Sequence, residues 1–355
     1  MRKKSRDRGC RIRVSVLAVA IVTLLLAVCG SVTVSAQESG QQRDAVIVTG
    51  DIFGTRISTK GVLVVGVTGV VSGKSERFPA RDAGICSKDI INTVNGKEIE
   101  NSEDLVSRIE NSEGKPLDIG ITRGNEQIEV TLTPTLADSD GEYRGGLWVR
   151  DSLAGIGTVT FVIPETGEFM GLGHGICDPD TGVLMPVLRG GVFGVCLSEI
   201  KRSDAGAPGE LRGRLDTDKI GSVIGNTPCG IYGALAAVPA HGRSFPIAKR
   251  DEVRPGDVKI ICTLDGNGPR EYLAKIERIC DAEGETKNFV IRMNDKELLD
   301  KCGGIVQGMS GSPIIQDGKL VGAVTHVMIN DPTTGYGIFI ENMLNAANIP
   351  MAKAS

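Results

Sequence analysis

The sequence predicts a mainly β protein made of two globular units behind an apolar N-terminal segment. Its 355 residues exceed what one ordinary hydrophobic core organises. Glycine is abundant at 47 residues while aromatic residues make up 4% with a single Trp, a composition suited to tight turns and short strands rather than large helical cores. Short apolar runs broken by Gly, Pro, Asn and Asp recur from residue 145 towards the C-terminus, the pattern of a many-stranded sandwich or barrel.

Residues 1–13 carry seven Arg or Lys and one Asp, and the uncharged run Val14–Ala36 follows. Segment 1–36 therefore reads as a signal peptide with a cleavage site at Val34-Ser35-Ala36, or as an uncleaved transmembrane anchor, since the run can cross a hydrocarbon layer of roughly 30 Å. Both outcomes keep the basic cluster cytoplasmic and send everything after Gln37 across the membrane. Residues 37–44 are polar and aperiodic, as a linker is. Beyond Ala36 the chain holds 33 basic and 43 acidic residues, an acidic body that argues against nucleic acid as a partner. The seven cysteines of that body are scattered with no CxxC pair, so neither a disulfide framework nor a zinc site is expected, and no cofactor or metal is called for.

Residues 45–136 read as a compact α+β module. Strands AVIVTG, KGVLVVGV and DIINTV precede a helix over SEDLVSRIENSEG, capped by Ser102, and a hairpin through Gly124-Asn125 closes the unit. Residues 145–355 hold the β region, with TVTFVI, DVKIICTL and SPIIQDGKLVGAVTHVMI among its strands and one convincing helix, NMLNAAN, near its end.

The sharpest local signal is GGIVQGMSGSPIIQDGKLVGAV, residues 303–324. Gly308, Gly311 and Pro313 around Ser310 suit a backbone that turns abruptly, aims the hydroxyl outward and converges the amides of Gly308 and Ser310 on one point. Donors at such a point receive a developing oxyanion and are worth about 2.7 to 4 kcal/mol each in catalysis. A Ser hydroxyl needs a base, and His is the usual one. Of His174, His241 and His326, the first sits on the Gly-rich corner FMGLGHGICD and is the preferred base; His241 lies in a surface turn, and His326 reads as a packed strand residue. Among possible orienting carboxylates, Asp295 stands just after an apolar strand and shortly before the nucleophile loop, with Asp300 as second choice. Asp178-Pro179-Asp180-Thr181-Gly182 hints at a calcium loop, but Arg189 stands where an EF-hand needs its bidentate Glu.

GMSGSP resembles the nucleophile loop of trypsin-like serine peptidases, with Met309 in place of an Asp. GLWVRDSLAGIGTVTF, GLGHGICD and GAVTHVMINDPTTGYGIFIENML further resemble the stage IV sporulation protein B family of peptidases. That resemblance implies an N-terminal membrane segment, a PDZ domain (45–136) and a trypsin-like double β-barrel peptidase (145–355), with His174, Asp295 and Ser310 as the triad. It also implies action between forespore and mother cell. The substrate there would be the regulatory subunit of an intramembrane metalloprotease that processes a late sigma-factor precursor, and the peptidase would cleave itself as well. KGVLV and PARDAGICSKDIINTVNG are similar to a bacterial PDZ domain, which implies that a ligand peptide adds as a strand beside Gly61, Val62, Leu63 and Val64. Lys88 stands where that family usually has Gly, which leaves the turn geometry open. Two other readings remain: a PDZ scaffold with a degenerate peptidase domain, and a general envelope quality-control protease of the high-temperature-requirement kind, which usually carries its PDZ domain after the catalytic one.

Overall fold

The structure is a computed structural model that describes residues 45–280 and 286–350; the expected membrane segment 1–36 and linker 37–44 lie outside the described residues. The principal strands in chain order are β1 (Ala45–Val48), β2 (Ile52–Val67), β3 (Ile90–Val94), β4 (Leu117–Arg123), β5 (Glu126–Leu132), β6 (Leu147–Val162), β7 (Glu168–Gly171), β8 (Arg189–Lys201) and β9 (Glu210–Thr227). They continue with β10 (Gly230–Leu235), β11 (Arg243–Pro246), β12 (Gly256–Cys262), β13 (Arg270–Ile279), β14 (Phe289–Met293), β15 (Pro313–Gln316), β16 (Lys319–Met328) and β17 (Asp331–Phe339). Helices of at least two turns are α1 (Ser102–Glu110), α2 (Lys296–Cys302) and α3 (Ile340–Ala346).

Alternation places these strands. In β13, Tyr272, Ala274 and Ile276 are buried while the residues between them face out, so one side lines a core and the other meets water. The turn between β15 and β16 has Asp317 at φ 49° and Gly318 at φ 76°, the left-handed pair that matches the twist of a two-residue hairpin. Strands β12, β13, β14, β17, β16 and β15 close into a barrel in that order. Earlier in the chain the first barrel runs β2, β6, β7, β10, β9, β8 and returns to β2, because β6 and β8 both pair with β2, so the barrel of β12–β17 is the second. The region read as sandwich or barrel is thus built from two β-barrels.

The α+β module is threaded through the first barrel rather than placed before it. Ile52–Ser58 of β2 pairs with Ser152–Thr158 of β6 inside the barrel, while Leu63–Val67 pairs with Leu147–Arg150 of the same strand inside the module. The first-domain boundary drawn at Ala45 therefore differs from the observed pairing: β1 pairs with β11 and touches β6, so residues 45–58 join the first barrel. Burial explains why the boundary was hidden, since AVIVTG and KGVLVV are equally apolar and strand pairing is non-local. In the module β3 joins the far side of β2, followed by β4 and β5, and α1 covers the core formed by Val62, Val64, Ile91, Ile119 and Ile121. Asn101, not Ser102, caps α1, its side chain accepting from the Asp104 amide. Lys88 adopts φ 80°, so this position keeps the left-handed turn with a lysine in it.

The two barrels meet along β6. The Thr158 amide donates to the Ser310 carbonyl at 2.9 Å, the Thr158 hydroxyl to the Gly308 carbonyl at 2.9 Å, and the Thr160 hydroxyl to the Gly311 carbonyl at 2.7 Å. Both threonine side chains are buried, so these bonds are made away from water. Replacing Thr160 by Val keeps the shape but leaves the Gly311 carbonyl without this donor, and the expected cost is about 1–3 kcal/mol. Urea unfolding of the full chain measures it; a Thr160→Val midpoint equal to that of the wild type would show that the seam contributes nothing.

Candidate active site

The loop that carries Ser310 lies between α2 and β15, held against β6 by the seam just described. Gly311 is required there: at φ 93°, an added Cβ would stand 2.1 Å from the Thr158 carbonyl oxygen. The amides of Met309, Gly311 and Ser312 donate to Val306, Val324 and Met309. Among the described residues no acceptor takes the amides of Gly308 or Ser310, the two expected to form the oxyanion hole. The Ser310 hydroxyl donates to the Thr325 carbonyl at 2.9 Å, a resting position from which rotation about χ1 frees it.

His174 comes from the first barrel, on the corner that follows β7. Leu172 there takes φ 70°, a conformation a branched residue adopts at a cost of order 1–3 kcal/mol, as residues beside functional sites often do. The His174 Nδ1 lies 3.0 Å from the Gly175 carbonyl. A carbonyl can only accept, so Nδ1 carries the proton and Nε2 keeps its lone pair. Burial pushes the imidazole below its ordinary value, opposed by that carbonyl.

Ser310 and His174 line one cavity of about 570 Å³, together with Gly308, Gln307, Thr325 and His326. Two sequence expectations fail at this site. Asp295 does not line the cavity: it is the N-cap of α2, where Oδ1 accepts from the Leu298 amide and Oδ2 from the Leu273 amide, each at 3.1 Å. Asp300 lies on the same helix and is exposed. The Asp-Lys-Glu start and Gly303 stop of α2 were legible as helix signals, and reading Asp295 as catalytic concealed them. His326, read as a packed strand residue, instead faces the cavity, its ring centroid 5.1 Å from that of His174. His241 pairs with Asp51 at 3.0 Å on the surface. Asp178, the hinted calcium ligand, is buried on the Thr181 amide and hydroxyl and pairs with Arg150.

The peptide-binding assignment also changes. Val62, Leu63 and Val64 are fully buried, and their strand is flanked by β3 on one side and β6 on the other, so no edge is left for a peptide. The open edge belongs to Leu147–Arg150 of β6, which among the described residues pairs with β2 alone. Beside it lies an apolar groove of about 440 Å³ between β6 and α1, lined by Trp148, Leu147, Val106 and Ile109. Trp148 is 65% exposed there. No group of three or more His, Cys, Asp or Glu able to hold a metal occurs among the described residues.

The mitochondrial serine protease HTRA2 of Drosophila sechellia is 43% identical over 56 residues, 16% of this chain and 13% of the relative, and that of Drosophila simulans matches equally. This chain thus spans about 13% of the length of those curated relatives. Among solved structures, the active form of the Rv3671c protease of M. tuberculosis is similar at 18% identity over 57% of this chain and 76% of that one, with a TM-score of 0.35. The PDZ domain of an SdrC-like protein from Listeria monocytogenes is similar at 20% identity over 26% and 90%, with a TM-score of 0.22. The SpoIVB peptidase S55 family model matches residues 141–344, more than half of the sequence and the part that carries both His174 and Ser310. The chain belongs to the SpoIVB peptidase S55 family.

Proposed function

We propose that the chain is a serine endopeptidase in which Ser310 is the nucleophile, His174 the base, and the amides of Gly308 and Ser310 the oxyanion hole. The observation that carries this is the meeting of Ser310 and His174 in one cavity with two amides that no acceptor takes among the described residues. Ser310 Oγ turns from the Thr325 carbonyl, gives its proton to His174 Nε2 and bonds to the scissile carbonyl carbon. The carbonyl π pair moves to oxygen, where the two amides receive it. The tetrahedral centre collapses as His174 passes the proton to the leaving amine, and water later hydrolyses the acyl-enzyme with His174 again as base. A protein or peptide is the substrate class. Family membership supports the narrower reading of a sporulation signalling peptidase, exported and membrane-tethered or released. It would act between forespore and mother cell on the regulatory subunit of an intramembrane metalloprotease, and on itself. A ligand peptide would add to the open edge of β6 beside α1.

Ser310→Ala is expected to abolish labelling by a fluorophosphonate probe and self-cleavage while leaving the melting temperature unchanged; persistent self-cleavage in that variant would falsify the assignment. Because burial depresses His174, the acidic limb of the labelling rate is expected below pH 6.5, and an inflection above it would contradict a buried neutral base. Burial, with His174 and Lys287, also pushes His326 down to about 4. Both groups are depressed, so the unfolded chain binds more protons between pH 6.5 and about 4. The associated stability is present above 6.5 and is lost as pH falls towards about 4. Thermal melts across that window are expected to show a decline that His326→Asn reduces.

A further inference from the structure

A tetrahedral centre on Ser310 has its directions fixed by the groups around it. The carbonyl oxygen faces the amides of Gly308 and Ser310, and the leaving amine faces His174, which must protonate it. The residue on the acyl side of the scissile bond is thereby left the stretch of the cavity between two walls. One wall is the loop 305–308; the other is the end of β16 from His326 onwards, with exposed Ile329 just beyond it. Neither wall carries an Asp, Glu, Lys or Arg.

Aliphatic side chains set the character of this stretch. Ile305 is 3% exposed and its backbone is pinned on both sides, the amide donating to the Pro332 carbonyl at 2.8 Å and the carbonyl accepting from the Ser203 hydroxyl at 2.9 Å. Its side chain reaches β17, where a Cβ added at Gly335 would stand 2.5 Å from Ile305 Cδ1. Gly335 is the pairing partner of Val327 on β16, so Ile305 fills the space that a glycine leaves beside Val327, and both branched side chains line the cavity.

The polar side chain on the strand is His326. The pairing of β16 with β17 runs Val324 to Gly337 and then His326 to Tyr336, so Thr325 is an extra residue, a bulge, and the bulge turns His326 towards the cavity. Burial, with His174 and Lys287, holds this ring down to about 4, so it is neutral near pH 7 and offers an acidic side chain no countercharge. Lys287 lies over the Tyr336 ring, 5.1 Å from its centroid, and does not line the cavity. An ammonium or carboxylate entering this stretch gives up its water and meets no opposite charge, whereas an aliphatic side chain gains by the same desolvation.

We propose that this stretch is the specificity subsite for the residue whose carbonyl is attacked, that it takes an uncharged aliphatic side chain, and that Ile305 and Val327 determine the preference. This rests on the assignment of Ser310 and His174 made above and narrows the substrate class to polypeptides cleaved after aliphatic residues.

The test uses the full chain and a series of peptidyl diphenyl phosphonates that differ only in the residue next to phosphorus: Val, Leu, Lys or Glu. In each, Ser310 Oγ bonds to phosphorus, a phenoxide leaves and takes the serine proton by way of His174, and mass spectrometry follows the adduct at Ser310. The Val and Leu probes are expected to react at least about 100-fold faster than the Lys and Glu probes, because an unpaired charge is costly in an apolar site. Val327→Asp supplies a carboxylate and is expected to speed the Lys probe at least about 10-fold over Val327→Asn, which has the same shape without the charge. Lys or Glu probes within about 10-fold of the aliphatic ones would overturn the proposal, since apolar pockets separate even single methylenes by that much. So would silence of all the peptidyl probes where a fluorophosphonate labels Ser310, or no gain for the Lys probe in a stably folded Val327→Asp. The wild-type series decides by itself should Val327→Asp not fold. Absence of fluorophosphonate labelling at Ser310 in the wild type would instead overturn the assignment on which the preference rests.

Discussion

Three hydrogen bonds from β6 to the carbonyls of Gly308, Ser310 and Gly311 hold the Ser310 loop of one barrel against a strand of the other. These bonds satisfy the carbonyls of an irregular glycine corner, while the amides of Gly308 and Ser310 have no acceptor among the described residues. The seam also admits only glycine at 311, since any side chain there would strike the Thr158 carbonyl. His174, reached through the left-handed pair Leu172 and Gly173, closes the same cavity from the first barrel. The site exists only where the barrels touch.

The strand that forms the seam does other work along its length. At its start, Leu147–Arg150 is the open edge beside α1; at its end, Thr158 and Thr160 bind the nucleophile loop. Between them, Arg150 pairs with buried Asp178, four residues beyond His174. That ion pair is solvent-shielded on the acid side, so it ties the module's edge strand to the corner carrying His174. Threading the module through β2 and β6 makes it part of the first barrel's framework.

Burial sets the electrostatics of the cavity. Both imidazoles are depressed because a charge there has lost its water, and the nearby His174 and Lys287 further disfavour charge on His326. With the carbonyl of Gly175 fixing the His174 tautomer, a neutral base with its Nε2 lone pair available is built from backbone and burial alone.

Much of this was legible in the sequence. Gly308, Ser310, Gly311 and the Gly-rich corner at His174 announce themselves because a loop that turns sharply has few residue choices, and those choices are local. The strand-rich class, the helix at Ser102 and the hairpin turns follow from periodicity of the same kind. What the sequence could not decide depends on pairing between distant segments. Residues 45–58 belong to the barrel, the ligand edge lies on β6 rather than at Val62–Val64, and Asp295 serves a helix terminus. A one-residue bulge at Thr325 turns His326 from the core to the cavity. Strand register and bulges are set by which chains lie side by side, and a side chain's face reverses with a shift of one residue, so identity alone cannot assign it.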